Sequence, residues 1–145
     1  MTIKSHNVFL LKELYKVSSM GTAAINRVIP HVEDRGLRLA LKSQRDCYND
    51  NCRDLKEKLS KENAEPRKVN PMERMMSDIG IMYNTAIDNS SGKIAELMMN
   101  GTNMGIIAVQ RALNEAKGAD PELRSQAETL LRKEQVYLNR LKKYL

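Results

Sequence analysis

The chain has 145 residues, 41% of them hydrophobic and 29% charged, with a formal charge of +6 and a pI near 9.4. That size and balance fit one folded domain with one core and exclude a disordered polyelectrolyte. No apolar run approaches the roughly 20 residues that cross a bilayer, and no charged segment leads into an apolar stretch with a cleavage site, so neither a membrane span nor a signal peptide is expected.

Aromatic residues are scarce: no Trp, one Phe and five Tyr, against nine Met. Leu, Ile, Ala and Met must fill the core, and unbranched aliphatics and Ala favour helices. The first predicted helix runs from about 7 to 29, with Leu10, Leu14, Val17, Gly21, Ala24 and Val28 at the helical period and Pro30 as its interruption. The second covers about 33–62. Leu37, Leu41, Gln44, Tyr48, Asn51, Leu55 and Leu59 keep three-four spacing along it, as a bundle helix does. "NAEPRKVNP" at 63–71 is the clearest break. Asn70-Pro71 then reads as a cap followed by Pro at the first helical position, opening a shorter Met-rich helix over 71–87. A fourth predicted helix spans 91–117, with Gly118 as its stop. Asp120-Pro121-Glu122 opens the last, 121–145, where Leu130, Leu131, Val136, Leu138, Leu141 and Leu145 sketch an apolar stripe.

The expected architecture is therefore all-α: a single domain over 1–145, with four long helices and a short one between the second and third. A long connection lets the second and third helices run the same way. That is the mark of a ferritin-like bundle, whereas an up-down bundle needs only short loops.

Such bundles suggest a di-metal centre, which needs a Glu from each of two helices and Glu-x-x-His from each of the other two. The sequence does not supply it. His6 is preceded at three by Ile3, His31 by Val28, and Glu134 is followed at three by Tyr137. Cys47 and Cys52, about 140° apart on one helix, could not bridge there and read as free thiols of a cytoplasmic protein. No phosphate loop is present, since Ser90-Ser91-Gly92-Lys93 lacks the spacing. The sequence thus predicts no catalytic residues, metal ligands or cofactor.

Residues 97–145, "LMMNGTNMGIIAVQRALNEAKGADPELRSQAETLLRKEQVYLNRLKKYL", carry a resemblance. Through "GTNMGI" and the terminal "LKKYL" they are similar to the C-terminal half of uncharacterised bacterial ferritin-like four-helix proteins of clostridial type. The first 62 residues agree in helical layout only. The resemblance implies a fold without a settled activity, and no ligand set carries over.

Three other features call for an explanation. Gly101, Gly105, Ala108 and Ala112 form a ridge of small residues that Gly21 and Ala24 could face. Close helix packing explains it better than a ligand cavity, since interiors rarely keep voids larger than a water. Two helix-interior glycines still cost about 1 kcal/mol each relative to Ala. The Met clusters at 72–76 and 98–104 read as adaptable core filler, and the first could support a homodimer or another protein partner. Arg35, Arg38, Lys42 and Arg45 make a basic stripe that could meet phosphates. Interleaved acids, including four-apart pairs Lys42–Asp46 and Asp54–Lys58, argue instead for a solvated face and against nucleic acid.

Glu134 is the anomaly, because it stands inside the last apolar stripe. A carboxylate there must reach water or find donors. Gln44 and Tyr48 from the second helix are the expected partners, with Tyr137 beside them in a buried polar cluster. The functional expectation is a non-catalytic structural or interaction module. A metal site altered around Glu134 and a basic nucleic-acid binder are the rival readings.

Overall fold

Four α-helices stand among the described residues: α1 (Ile3–Val28), α2 (Arg35–Lys61), α3 (Ser91–Glu115) and α4 (Pro121–Leu141), with 3-10 turns at Ile29–His31 and Lys142–Tyr144. The computed structural model describes residues 2–66 and 90–145, and these hold no strand. The helix expected at 71–87, its Asn70-Pro71 start, its Met cluster and the dimer surface assigned to it lie outside them.

Each start has a local cause. The hydroxyl of Thr2 accepts from the Ser5 N–H (3.1 Å), the Asp34 carboxylate from Leu37 N–H (2.8 Å) and the Ser90 hydroxyl from Lys93 N–H (3.3 Å), which satisfies donors a helix leaves open. The Thr2 cap explains why α1 begins at Ile3 and not near Asn7. α4 opens with Asp120 and Pro121 as the sequence predicts, yet Asp120 makes no side-chain cap. Its Oδ2 accepts from Asn7 Nδ2 while its own N–H donates to Asn7 Oδ1, both at 2.8 Å. α2 ends in a Schellman turn. Ala64 N–H donates to Leu59 O (2.9 Å) and Asn63 N–H to Ser60 O (3.0 Å). Asn63 takes the left-handed φ of 54° that Asn tolerates.

α1 packs against α2 and α3, α3 against α4, and α2 meets α4 more sparingly. Neighbours run antiparallel. Thr22 meets Asn49 and Asn26 meets Arg45 between α1 and α2. Tyr48 meets Glu134, and Asp54 meets Gln126, between α2 and α4. Gly36, opening α2, lies by Tyr144, and Gly92, opening α3, by Leu145, so α2 and α3 start at the same end of the bundle. Gly118 does not sit in a left-handed stop. It makes room for His6, whose Nε2 would lie 2.8 Å from a Cβ there.

The core is aliphatic: Leu10, Leu14, Leu37, Leu41, Leu55, Leu59, Val109 and Leu141 are almost wholly buried. The buried face of α4 differs from the expected stripe. It is Leu123, Ala127, Leu130, Glu134, Tyr137 and Leu141, an unbroken four-three alternation. Val136, assigned to the stripe from sequence, is 46% exposed because that alternation turns it outward, and Leu145, also assigned to it and 67% exposed, lies beyond α4 and its closing 3-10 turn.

Gly21 is where α1 yields to α2. A Cβ there would lie 2.7 Å from Tyr48 Cδ2 and 2.9 Å from Cζ, so the tyrosine ring occupies the place of the missing methyl. Gly21→Ala is therefore expected to destabilise the fold by roughly 1–3 kcal/mol through overpacking, despite its gain in helix propensity. Urea unfolding checks this; an unchanged midpoint would mean that the ring moves aside freely.

Candidate functional site

The centre of the bundle is built from one side chain after another that donates inward. Gln44 and Tyr48, a helical turn apart on α2, both face the core. Gln44 Nε2 donates to Tyr48 Oη (2.8 Å) and to Thr102 Oγ1 on α3 (3.0 Å). Thr102 Oγ1 donates its own hydrogen bond to Met98 O (2.8 Å). Tyr48 O–H donates to Glu134 Oε1 on α4 at 2.5 Å, the short distance of a bond to a charged or strongly accepting oxygen. Glu134 has no exposed surface, and its second oxygen, Oε2, is buried without a hydrogen-bond partner.

The structure thus joins Gln44, Tyr48 and Glu134. Tyr137 lies against them without bonding Glu134: its ring meets that of Tyr48 edge-on, centroids 6.4 Å apart. Its hydroxyl interacts with Cys47, and Arg140 lies 6.0 Å above its ring. Thr102 belongs to the cluster and was not singled out from the sequence. Its signal is a polar residue in the inward series Met98, Thr102, Val109 of α3.

Burial dominates the electrostatics. It raises Glu134 from its ordinary 4.5 to about 7, while the hydrogen bond from Tyr48 pulls the other way. Burial, and then the nearby Glu134 carboxyl, push the Tyr48 phenol well above its usual range, so Tyr48 remains a donor. Burial likewise lifts Cys52 to about 11, which keeps it a thiol and a poor nucleophile.

Beside the cluster, between α1 and α3, is a pocket of about 210 Å³. Gly101, Gly105 and Ala108 of the small-residue ridge border it, together with Val17, Met20 and Ala24 of α1, and Glu134 closes its inner end. Ala112, the fourth ridge residue, packs in the core instead. A Cβ on Gly105 would sit 3.1 Å from Glu134 Oε2 and 3.3 Å from Val17 Cγ1.

The basic stripe is partly committed to the fold. Arg38 donates through Nε and Nη2 to Val32 O, which ties the start of α2 to the preceding turn. Arg45 donates to Asn26 Oδ1 (3.1 Å) and lies 3.9 Å from Asp46, the acid the sequence paired with Lys42. Arg35 and Lys42 are exposed. The Asp54–Lys58 pair forms at 3.1 Å and shares Gln126 of α4. Cys47 and Cys52 are unbridged, and no described helix is long and apolar enough to cross a membrane.

No protein-family model, curated protein or solved structure matches this chain.

The raised pKa of Glu134 has a definite sign in stability. Between about pH 4.5 and 7 the folded protein holds a proton that the unfolded chain has lost, so stability falls as pH rises through that window and levels off above it. The loss amounts to roughly 3 kcal/mol. Glu134→Gln keeps shape and an acceptor for Tyr48 but cannot ionise, so its advantage over wild type should grow across the window. Glu134→Ala, which leaves Tyr48 without an acceptor, should cost roughly 1–3 kcal/mol at pH 5. Urea unfolding of the three proteins from pH 5 to 8 measures both effects; parallel pH profiles for wild type and Gln would contradict them.

Proposed function

We propose that the protein is a non-catalytic, ferritin-like helical bundle that serves as a structural or interaction module. The resemblance read in residues 97–145 motivates this reading. So does the shared starting end of α2 and α3, which places the two ends of their connection at opposite ends of the bundle, as a crossover topology requires.

The donor set at the bundle centre carries the proposal. A di-metal carboxylate centre gathers several carboxylates and two imidazoles on inward faces. The corresponding depth here holds Gln44, Thr102, Tyr48 and a single carboxyl, Glu134, one of whose oxygens is already engaged by Tyr48. His6 sits at the far end beside Gly118, and His31 in the turn after α1. Among the described residues no three of His, Cys, Asp and Glu come together. These residues do not fit a di-metal centre, and neutral donors are weak substitutes for hard anionic ligands. Protein purified without chelator should carry no stoichiometric iron, manganese or zinc and show no ferroxidase turnover. Either one would favour the rival reading, an altered metal site around Glu134.

The same reading extends to self-association as a homodimer. Light scattering at high micromolar concentration should give twice the chain mass of 16.5 kDa; a monomer would contradict it. Unbridged Cys47 and Cys52 support a reducing, cytoplasmic setting. The commitment of Arg38 and Arg45 to structural contacts counts against the nucleic-acid reading.

A further inference from the structure

We propose that the pocket between α1 and α3 is a binding site for a small, neutral, mainly apolar molecule bearing one hydroxyl group, which it presents to Glu134 Oε2. The proposal rests on the centre being free of metal, since a metal on Glu134 would take the same oxygen.

Two independent observations meet here. The first is space. A pocket of about 210 Å³ exceeds the ~150 Å³ of an engineered apolar cavity that takes up benzene, so one ring with a short substituent fits. Gly101 and Gly105 keep it open, although each costs the helix about 1 kcal/mol relative to Ala. Close approach accounts for Gly105, where a Cβ would meet Glu134 Oε2 and Val17 Cγ1 of α1, whereas Gly101 borders the pocket. The second is an unmet polar atom. Glu134 Oε2 is fully buried and unpartnered at the inner end of that space, and such an oxygen is costly to leave unbonded.

The walls then select the ligand. Three titratable groups border the pocket: Lys16, Tyr48 and Glu134. Tyr48 already directs its proton to Glu134 Oε1. An anion would meet the buried carboxyl. A cation would meet Lys16 in the pocket wall, on a chain of net charge +6. A neutral molecule meets neither obstacle. A hydroxyl also suits Oε2 in both of its states, donating to the carboxylate and accepting from the acid. Apart from these groups the lining is mostly apolar, with Val17, Ile25, Met20, Met98 and Met104. Its flexible Met side chains can adjust to ligand shape.

Protein labelled with 13C at the methionine methyls reports on the pocket directly through Met20, Met98 and Met104. It is titrated with p-cresol, with p-xylene (a methyl in place of the hydroxyl) and with 4-methylbenzylamine, the cationic counterpart. Saturable shifts of these methyls are expected with p-cresol, at an affinity at least about tenfold above p-xylene, the worth of one good hydrogen bond, and with the amine weaker still. Gly105→Ala places a methyl against Oε2 while favouring the helix, so its fold should persist, as its own methyl spectrum shows. It should abolish the preference for p-cresol over p-xylene. No saturable shift, equal affinity for p-cresol and p-xylene, strongest binding by the amine, or an unchanged preference in Gly105→Ala would each overturn the proposal. Metal analysis of the same sample separates the failures: a metal-free protein that ignores p-cresol sinks the ligand site alone, whereas bound metal sinks the reading of the centre.

Discussion

The hydrogen bond from Tyr48 to Glu134 Oε1 sets conditions that propagate through the bundle. A carboxyl without exposed surface needs a donor, and the donor comes from another helix because the hydroxyl on the same face of α4, Tyr137, interacts with Cys47 instead. Tyr48 can reach it only by laying its ring across α1, which requires Gly21 to lack a side chain. The phenol oxygen is in turn bonded by Gln44, which also holds Thr102 of α3. One buried acid thereby relates α2, α3 and α4 at a single level and fixes the face that α1 can present. Apolar residues alone would permit several helix registers of similar energy; a polar network satisfied in one register disfavours the others.

The helices were legible because periodicity is a local property. α2 kept apolar and chosen polar residues in strict three-four order, and Leu37, Leu41, Gln44, Tyr48, Leu55 and Leu59 are all buried. α4 was read less well. Leu131, Val136 and Leu138 are apolar enough to suggest a second stripe, and only the run from Leu123 onward settles the face, since it carries Glu134 and Tyr137 inward. Helix ends depended on single side chains. Thr2 could have been taken as a cap, whereas nothing in the order of residues says that Asp120 would turn to Asn7.

The centre was half legible. An acid in an apolar stripe demands donors, and the inward series of α2 contains two. Thr102 escaped notice because a threonine on a helix usually satisfies itself on the preceding turn, as this one also does. The pocket was legible only as the weaker of two readings of the ridge, behind close packing. A ridge of Gly and Ala states that helices can approach closely. It does not state that they do, because the distance between two helices is set by the residues that stand behind the ridge.

The reciprocal pair Asn7–Asp120 joins residues 113 apart in sequence, and this separation bears on how the chain folds. α1 with α2, and α3 with α4, are each linked by a short turn and can form from local contacts. Asn7 and Asp120 belong to different hairpins, so their two bonds form only after one hairpin has docked on the other. Contacts of such high sequence separation slow folding while adding to the final stability. Loop-closure entropy grows only slowly with length, so once the hairpins have met, the penalty for their distance is already small. The amide of Asn7 then acts as a latch between the two docked hairpins.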